Sequence, residues 1–206
     1  KPLNPNTPDV TPKPGDKVPG DPKQRTFEQL GLLDEVNRTI NYRYANTDKV
    51  EEAKRGQEAA ATVEQKLRYS RKGDLNKVTG EITYGEWTTD RNDDIFNGYP
   101  VPVVKGYIAK AGDLESSTKD VKVTPDTIKD INETVVYDKL GSWVPNIPGQ
   151  PTDPIKYPND PTDPTKPGKD KPVLPYVPGY TPVDGKGQPL KPVDPNDPTK
   201  GYEVPN

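Results

Sequence analysis

The sequence predicts an α+β domain: one mixed sheet with short helices, set between two extended proline-rich flanks. Three observations carry this. Ile40, Tyr42 and Tyr44 alternate with Thr39, Asn41 and Arg43, the period-two pattern of a half-buried strand. Glu133-Thr134-Val135-Val136-Tyr137 is equally strand-like at the other end of the same region. Proline is unevenly spread: seven fall in residues 1–22, three in 23–143 and seventeen in 144–206. Apolar residues make up 29% of the 206, well below the roughly 45–50% of globular domains. The deficit lies in the flanks, so the expected organisation is a linker over 1–25, a domain over 26–143 and a linker or stalk over 144–206.

In chain order, prolines 2, 5 and 8 recur with the period of polyproline II. Thr26-x-x-Gln29 has capping-box spacing and Phe27, Leu30 and Leu33 follow, which predicts a short helix interrupted by Gly31. Val36–Ala45 is the first strand. Asp48 to Ala61 reads as a short helix or an inserted loop, with capping-box spacing at Asp48 and Glu51 and an interruption at Gly56. Ala61, Val63, Leu67 and Tyr69 alternate with charged or polar neighbours, giving a second strand with Gln65 on its apolar side. Turn signals at Gly73-Asp74 and Thr79-Gly80 lead to a third strand, Glu81–Trp87, expected to close a hairpin on the second. Ile95-Phe96 is an apolar plug in a polar loop. Pro100 and Pro102 confine Tyr99–Val104 to an edge strand or extended loop. Thr124-Pro125 reads as a helix start. Glu133–Tyr137 is the last strand, and the region before it is long enough for the crossover that a parallel connection needs. Beyond Val144 the prolines recur largely every third residue, which predicts an extended arm of about 3.1 Å per residue with few contacts to the domain, Val173–Tyr180 being the segment that could dock. The chain opens inside a proline-rich stretch and is expected to be part of a longer protein.

Composition excludes several chemistries. The net charge is −3 and no segment is strongly basic, so a nucleic-acid partner is not expected. No run of eighteen apolar residues is present, so this chain is not expected to insert into a membrane. Cysteine, histidine and methionine are absent. That removes disulfides, thiolate nucleophiles and the commonest general base. Asp90, Asp93 and Asp94 form an acidic loop without the ligand spacing of a calcium hand, and read as solvated. Glu51-Glu52 are adjacent and diverge, so they cannot share a substrate. No catalytic constellation, metal site or cofactor is expected.

Asn37-Arg38-Thr39-Ile40-Asn41-Tyr42, then Lys77-Val78-Thr79-Gly80-Glu81-Ile82-Thr83-Tyr84-Gly85-Glu86-Trp87, Gly106-Tyr107 and Thr134-Val135-Val136-Tyr137 occur in register. Together they resemble the second domain type of mucin-binding (Mub) repeats in lactobacillar surface adhesins. Leu140–Gly149 is similar to a domain-to-linker junction in such proteins. The insertion over Asp48–Ala60 and the polar stretch Ser116–Lys129 depart from the pattern. The resemblance implies a β-grasp (ubiquitin-like) fold with the first strand central. It also implies a non-catalytic adhesin module on the bacterial cell surface, one of several tandem units. Its partner would be host mucin or another glycoprotein through glycans, with immunoglobulin a further one and neighbouring repeats beside it. A structural spacer that projects other domains is the alternative.

Aromatic faces are the candidate ligand contacts, since they stack on sugar rings and on partner side chains. Trp87, Tyr99 and Tyr107 are put forward. For Tyr42, Tyr44, Tyr84, Tyr107 and Tyr137, core packing is the favoured reading over ligand contact. Tyr84 shares parity with Ile82 and is expected inward, Trp87 outward. Trp143 is expected to seal the end of the domain.

Overall fold

The computed structural model describes residues 2–3, 12–76, 78–89, 93–127, 129–147, 149 and 153–204. Its main sheet has five strands: β1 (Leu33–Tyr44), β2 (Glu58–Ser70), β3 (Thr88–Thr89), β4 (Tyr107–Gly112) and β5 (Asp130–Lys139). Their order is β3-β2-β1-β5-β4. The first strand is therefore central and the last lies beside it. Alternation decides what β1 buries. Val36, Arg38, Ile40 and Tyr42 are fully buried, and the residues between them are partly exposed. Val135 and Tyr137 do the same on β5. Each such apolar side chain contributes about 1.5–3 kcal/mol.

Cross-strand hydrogen bonds give the directions. Asn37 N donates to Asp130 Oδ1, Asn41 Nδ2 to Glu133 O and Ala45 N to Tyr137 O. Partner numbers rise together, as in a parallel pair. On the other side Tyr44 N donates to Gln57 O and Gly56 N to Tyr44 O, closing an antiparallel hairpin between β1 and β2. The outer strand β4 pairs antiparallel with β5, with a bulge between Val136 and Tyr137.

The expected third strand is displaced. Ile82–Tyr84 does not pair with β2 but with Gly73–Leu75, in a small sheet that also includes Pro2–Leu3. Thr88–Thr89 then returns to the end of β2. Gly73 permits the detour: a Cβ there would stand 2.7 Å from Leu32 Cδ2. The expected helices are also shorter. Among the described residues there are only 3₁₀ turns, at Glu52–Lys54, Ser116–Thr118 and Pro198–Lys200. The capping box at Thr26 does form: Gln29 N donates to Thr26 Oγ1 and Thr26 N to Gln29 Oε1. Gly31, at φ +64, ends that turn before a helix develops. The Asp48–Glu51 spacing does not cap, and Glu51 makes no side-chain cap to the 3₁₀ turn that follows. Thr124–Thr127 is a hydroxyl-closed turn rather than a helix start.

The chain divides into two compact units. The first comprises Lys1–Asn41, Ala61–Pro100 and Glu115–Thr134. It holds two apolar clusters. One is Val36, Leu67, Tyr69, Phe96 and Val123, with Trp87, Val121 and Ile131 against it. The other is Val18, Phe27, Leu30, Leu32 and Leu33, with Ile82 against it. Val18 thus brings part of the N-terminal flank into a core. Of the expected Ile95-Phe96 plug, Phe96 is buried, on a strand paired with Val121–Lys122, while Ile95 is exposed.

The second unit comprises Tyr42–Ala60, Val101–Leu114 and Val135–Asn206. Its tail is not the extended arm expected from proline spacing. Ser142–Trp143 pairs with Ile155–Lys156, and Val173–Leu174 with Tyr202–Glu203. Leu174, Tyr202 and Val204 form a cluster joined by Trp143, Ile155, Tyr157 and Leu190. Asn159 anchors the first loop, donating to Val104 O and Tyr107 O and accepting from Gly106 N. The physical reason lies in the residues flanking the prolines. In Asp160-Pro-Thr162, Asp163-Pro-Thr165 and Asp197-Pro-Thr199, the aspartate Oδ1 accepts from both the backbone N–H and the hydroxyl of the threonine. An Asx turn around a fixed proline φ bends the chain where polyproline II would extend it. Pro148 and Pro151 lie outside the described residues.

Candidate functional site

Within the first unit, the Thr83–Trp87 segment builds a layered surface. The Arg71 guanidinium lies between the rings of Tyr84 at 3.8 Å and Trp87 at 4.2 Å. Its Nε donates to Gly31 O at 2.6 Å, which holds the plane in place. Tyr84 does not point inward: its three-residue strand lies in the small sheet, the residue is 41% exposed, and the hydroxyl donates to Leu30 O. Trp87 is half-buried. Its ring stands edge-to-face with that of Tyr69, the centroids 6.5 Å apart, and its indole N–H donates to Asp126 Oδ1 at 3.3 Å. Behind it the Tyr69 hydroxyl donates to Val123 O at 2.6 Å, and burial raises its pKa. Such a surface offers flat apolar area, one cation and acceptor oxygens, which suits stacking and hydrogen bonding rather than bond making.

Tyr99 is 42% exposed, and its backbone N–H donates to Ser117 O. What fixes this loop is Arg38, which sequence reasoning left within the strand motif without a role. Arg38 is fully buried. Its Nε donates to Glu133 at 2.8 Å, Nη1 to the carbonyls of Asn97 and Lys119, and Nη2 to those of Ser116 and Ser117. All five guanidinium donors are used. Next to it Gly98 is forced: a Cβ there would stand 1.9 Å from Thr118 O. The signal for Arg38 was parity, since it falls on the same side of β1 as Ile40.

Tyr107 belongs to the second unit and is 5% exposed. Its ring tilts against Tyr44 at 4.6 Å, with Lys54 Nζ 5.4 Å from its centroid. Its hydroxyl donates to Glu51, which also pairs with Lys139 at 2.6 Å. Burial first, and then Glu51, raise the Tyr107 pKa. Lys139 and Tyr107 lower that of Glu51 to about 2. Tyr107 is therefore a packing residue, while Trp87 and Tyr99 reach the surface in different settings.

Of the acidic loop, Asp90 lies outside the described residues. Asp93 accepts from Ile95 N, and Asp94 pairs with Lys122 at 3.4 Å. No cluster of three potential metal ligands occurs among the described residues, and no helix among them is long and apolar enough to cross a membrane.

A family model, the Muc B2-like domain, matches residues 28–141. Among solved structures the chain is similar to Mub-RV, with 30% identity over 52% of this chain and 53% of that one and a TM-score of 0.41. It is also similar to the mucin-binding domain of Spr1345 from Streptococcus pneumoniae, with 32% identity, coverage of 53% and 93%, and a TM-score of 0.35. A third is the MucBP domain of the adhesion protein from Pediococcus pentosaceus, with 29% identity, coverage of 51% and 97%, and a TM-score of 0.38. The chain spans about half the length of Mub-RV. Comparison with curated proteins gave no match. With the match extending over more than half of its length, the chain belongs to the Muc B2-like domain family.

Proposed function

We propose that this chain is a non-catalytic adhesion module of a bacterial cell surface that binds host mucin glycoproteins through their glycans, as one of several tandem units. The observation that carries this is the Muc B2-like match across residues 28–141. Surface chemistry supports it: the Tyr84–Arg71–Trp87 layer and Tyr99 offer ring faces beside hydrogen-bonding groups. We assign Trp87 and Tyr99 as ligand contacts on that basis. The fold reading that accompanies it is β-grasp, supported by a central β1 with β2 antiparallel and β5 parallel beside it. In this reading the domain is 26–143, with 1–25 and 144–206 as its flanks.

The test is binding of the full chain, singly and as a tandem pair, to immobilised porcine gastric mucin and to an array that includes immunoglobulin. The expected result is weak binding by one unit and a gain of roughly 10²–10⁴ for the pair. Failure of both to bind mucin would leave a spacer role, and binding to immunoglobulin alone would move the partner.

A further inference from the structure

Within the second unit the tail encloses a cleft of about 490 Å³, lined by Trp143, Asn146, Tyr180, Thr181, Val183 and Asp184 among others. We propose that this cleft is a second glycan site, selective for neutral sugars such as a hexose or N-acetylhexosamine; the proposal rests on the adhesion reading above. The size is that of an ordinary small-ligand site. Its back is fixed: Trp143 pairs with Ile155 and packs on the Leu174, Tyr202 and Val204 cluster. Its mouth is apolar and open to solvent, with Val144 60% exposed, Tyr180 55% and Val183 49%. Singly exposed apolar residues are ordinary, but three around one cleft mark an interaction surface.

The polar lining narrows the ligand. Asn146 and Thr181 supply donors and acceptors of the kind that match sugar hydroxyls. Asp184 Oδ1 is used within its own turn, accepting from Lys186 N and Gln188 N. Its Oδ2 accepts no hydrogen bond among the described residues. The lining contains one carboxylate and no lysine or arginine. An anionic sugar would meet a like charge and find no cation to neutralise it. A neutral ring can stack on Trp143 or Tyr180 and donate a hydroxyl to Asp184.

The experiment titrates the full chain with neutral O-glycans released from porcine gastric mucin and, separately, with 3′-sialyllactose. Affinity is measured by calorimetry, and the two indole N–H signals are followed by ¹⁵N NMR, with Trp143→Phe assigning its peak. The expected result is that neutral glycans shift the Trp143 indole signal. Tyr180→Ala should weaken binding roughly tenfold or more, and Tyr180→Phe should keep it. Tyr180 is on the surface, so the alanine variant should retain the wild-type ¹⁵N spectrum elsewhere. If mucin glycans bind but the Trp143 signal stays still and Tyr180→Ala binds as wild type, the cleft is not a site and the adhesion reading stands. A preference for sialyllactose would also overturn the proposal. If neither mucin nor its glycans bind, the adhesion reading fails and this proposal fails with it.

Discussion

Strand β1 and the tail are both written in short periods, yet they fold by opposite means. β1 repeats apolar residues every second position and spends them on burial, so Val36, Ile40 and Tyr42 lose all contact with water. The tail repeats proline every third position and buries little, relying on aspartates that close turns around those prolines. The difference teaches that an apolar period fixes the partner of a segment, since a one-residue slip would expose the whole face. A proline period fixes only φ, and the neighbours decide whether the chain extends or bends.

The sharpest way to break the comparison is to attack Arg38, the one fully buried charge of β1. Arg38→Met should cost about 3–5 kcal/mol, because Glu133 is left buried without its partner, and four carbonyls lose their donor. Urea unfolding measures this. An Arg38→Met/Glu133→Leu double variant should be less destabilised than the sum of the two singles. A cost below 1 kcal/mol would mean that the loops at 97 and 116–119 are held by other contacts.

A smaller effect is expected one strand away. Tyr69→Phe keeps the ring in its cluster but removes the donor to Val123 O, costing about 1–3 kcal/mol. Thermal or urea unfolding reads it, and no change would show that the hydroxyl is dispensable. In the tail, Asp160→Ala removes the acceptor for Thr162 N, Thr162 Oγ1 and Asp163 N. Amide exchange at 162 and 163 should speed up while the amides of β1 keep their protection. Loss of protection in β1 as well would tie the two regions together and weaken the contrast.

The smallest expected effect is that of pH across the neutral range. With no histidine, no side chain of ordinary pKa titrates between about pH 5 and 8. Glu51 falls from its usual 4.5 to about 2 through Lys139 and Tyr107. A lowered acid stabilises the fold above its unfolded pKa, so this contribution is complete above 4.5 and is lost as pH falls towards 2. Tyr107 and Tyr137 shift the other way, mainly through burial. Their contribution is complete below their usual 10 and is lost as pH rises past it. Melting temperature should be flat from pH 5 to 8 and fall outside, on the acid side first. A steep change near pH 6 would contradict this.

How much of this could be read from sequence follows the same divide. The central strand, the last strand and their neighbourhood were legible, because alternation states which side is buried. Arg38 was not, since a charge in a strand reads by default as a solvent-facing residue; only its shared parity with Ile40, and that of Glu133 with Val135, said otherwise. The same parity argument points Tyr84 inward and fails there, because its strand of three residues belongs to another sheet. Trp87 and Tyr99 could be proposed as surface aromatics, whereas the burial of Tyr107 depends on Glu51, Lys54 and Tyr44, which come from distant parts of the chain. In the tail the period misleads, because period three is common to polyproline II and to repeated Asp-Pro-Thr turns, and the threonine after the proline carries the distinction.

The parallel pairing of β1 with β5 has a mechanical consequence. Tension applied at Leu33 and at Lys139 pulls the two strands along their length in opposite directions. Their shared hydrogen bonds are then loaded together, in shear, rather than opened one at a time like a zipper. The Arg38–Glu133 ion pair lies across the same seam. A load applied at those two ends would therefore meet the ion pair and the hydrogen bonds of the seam at the same time.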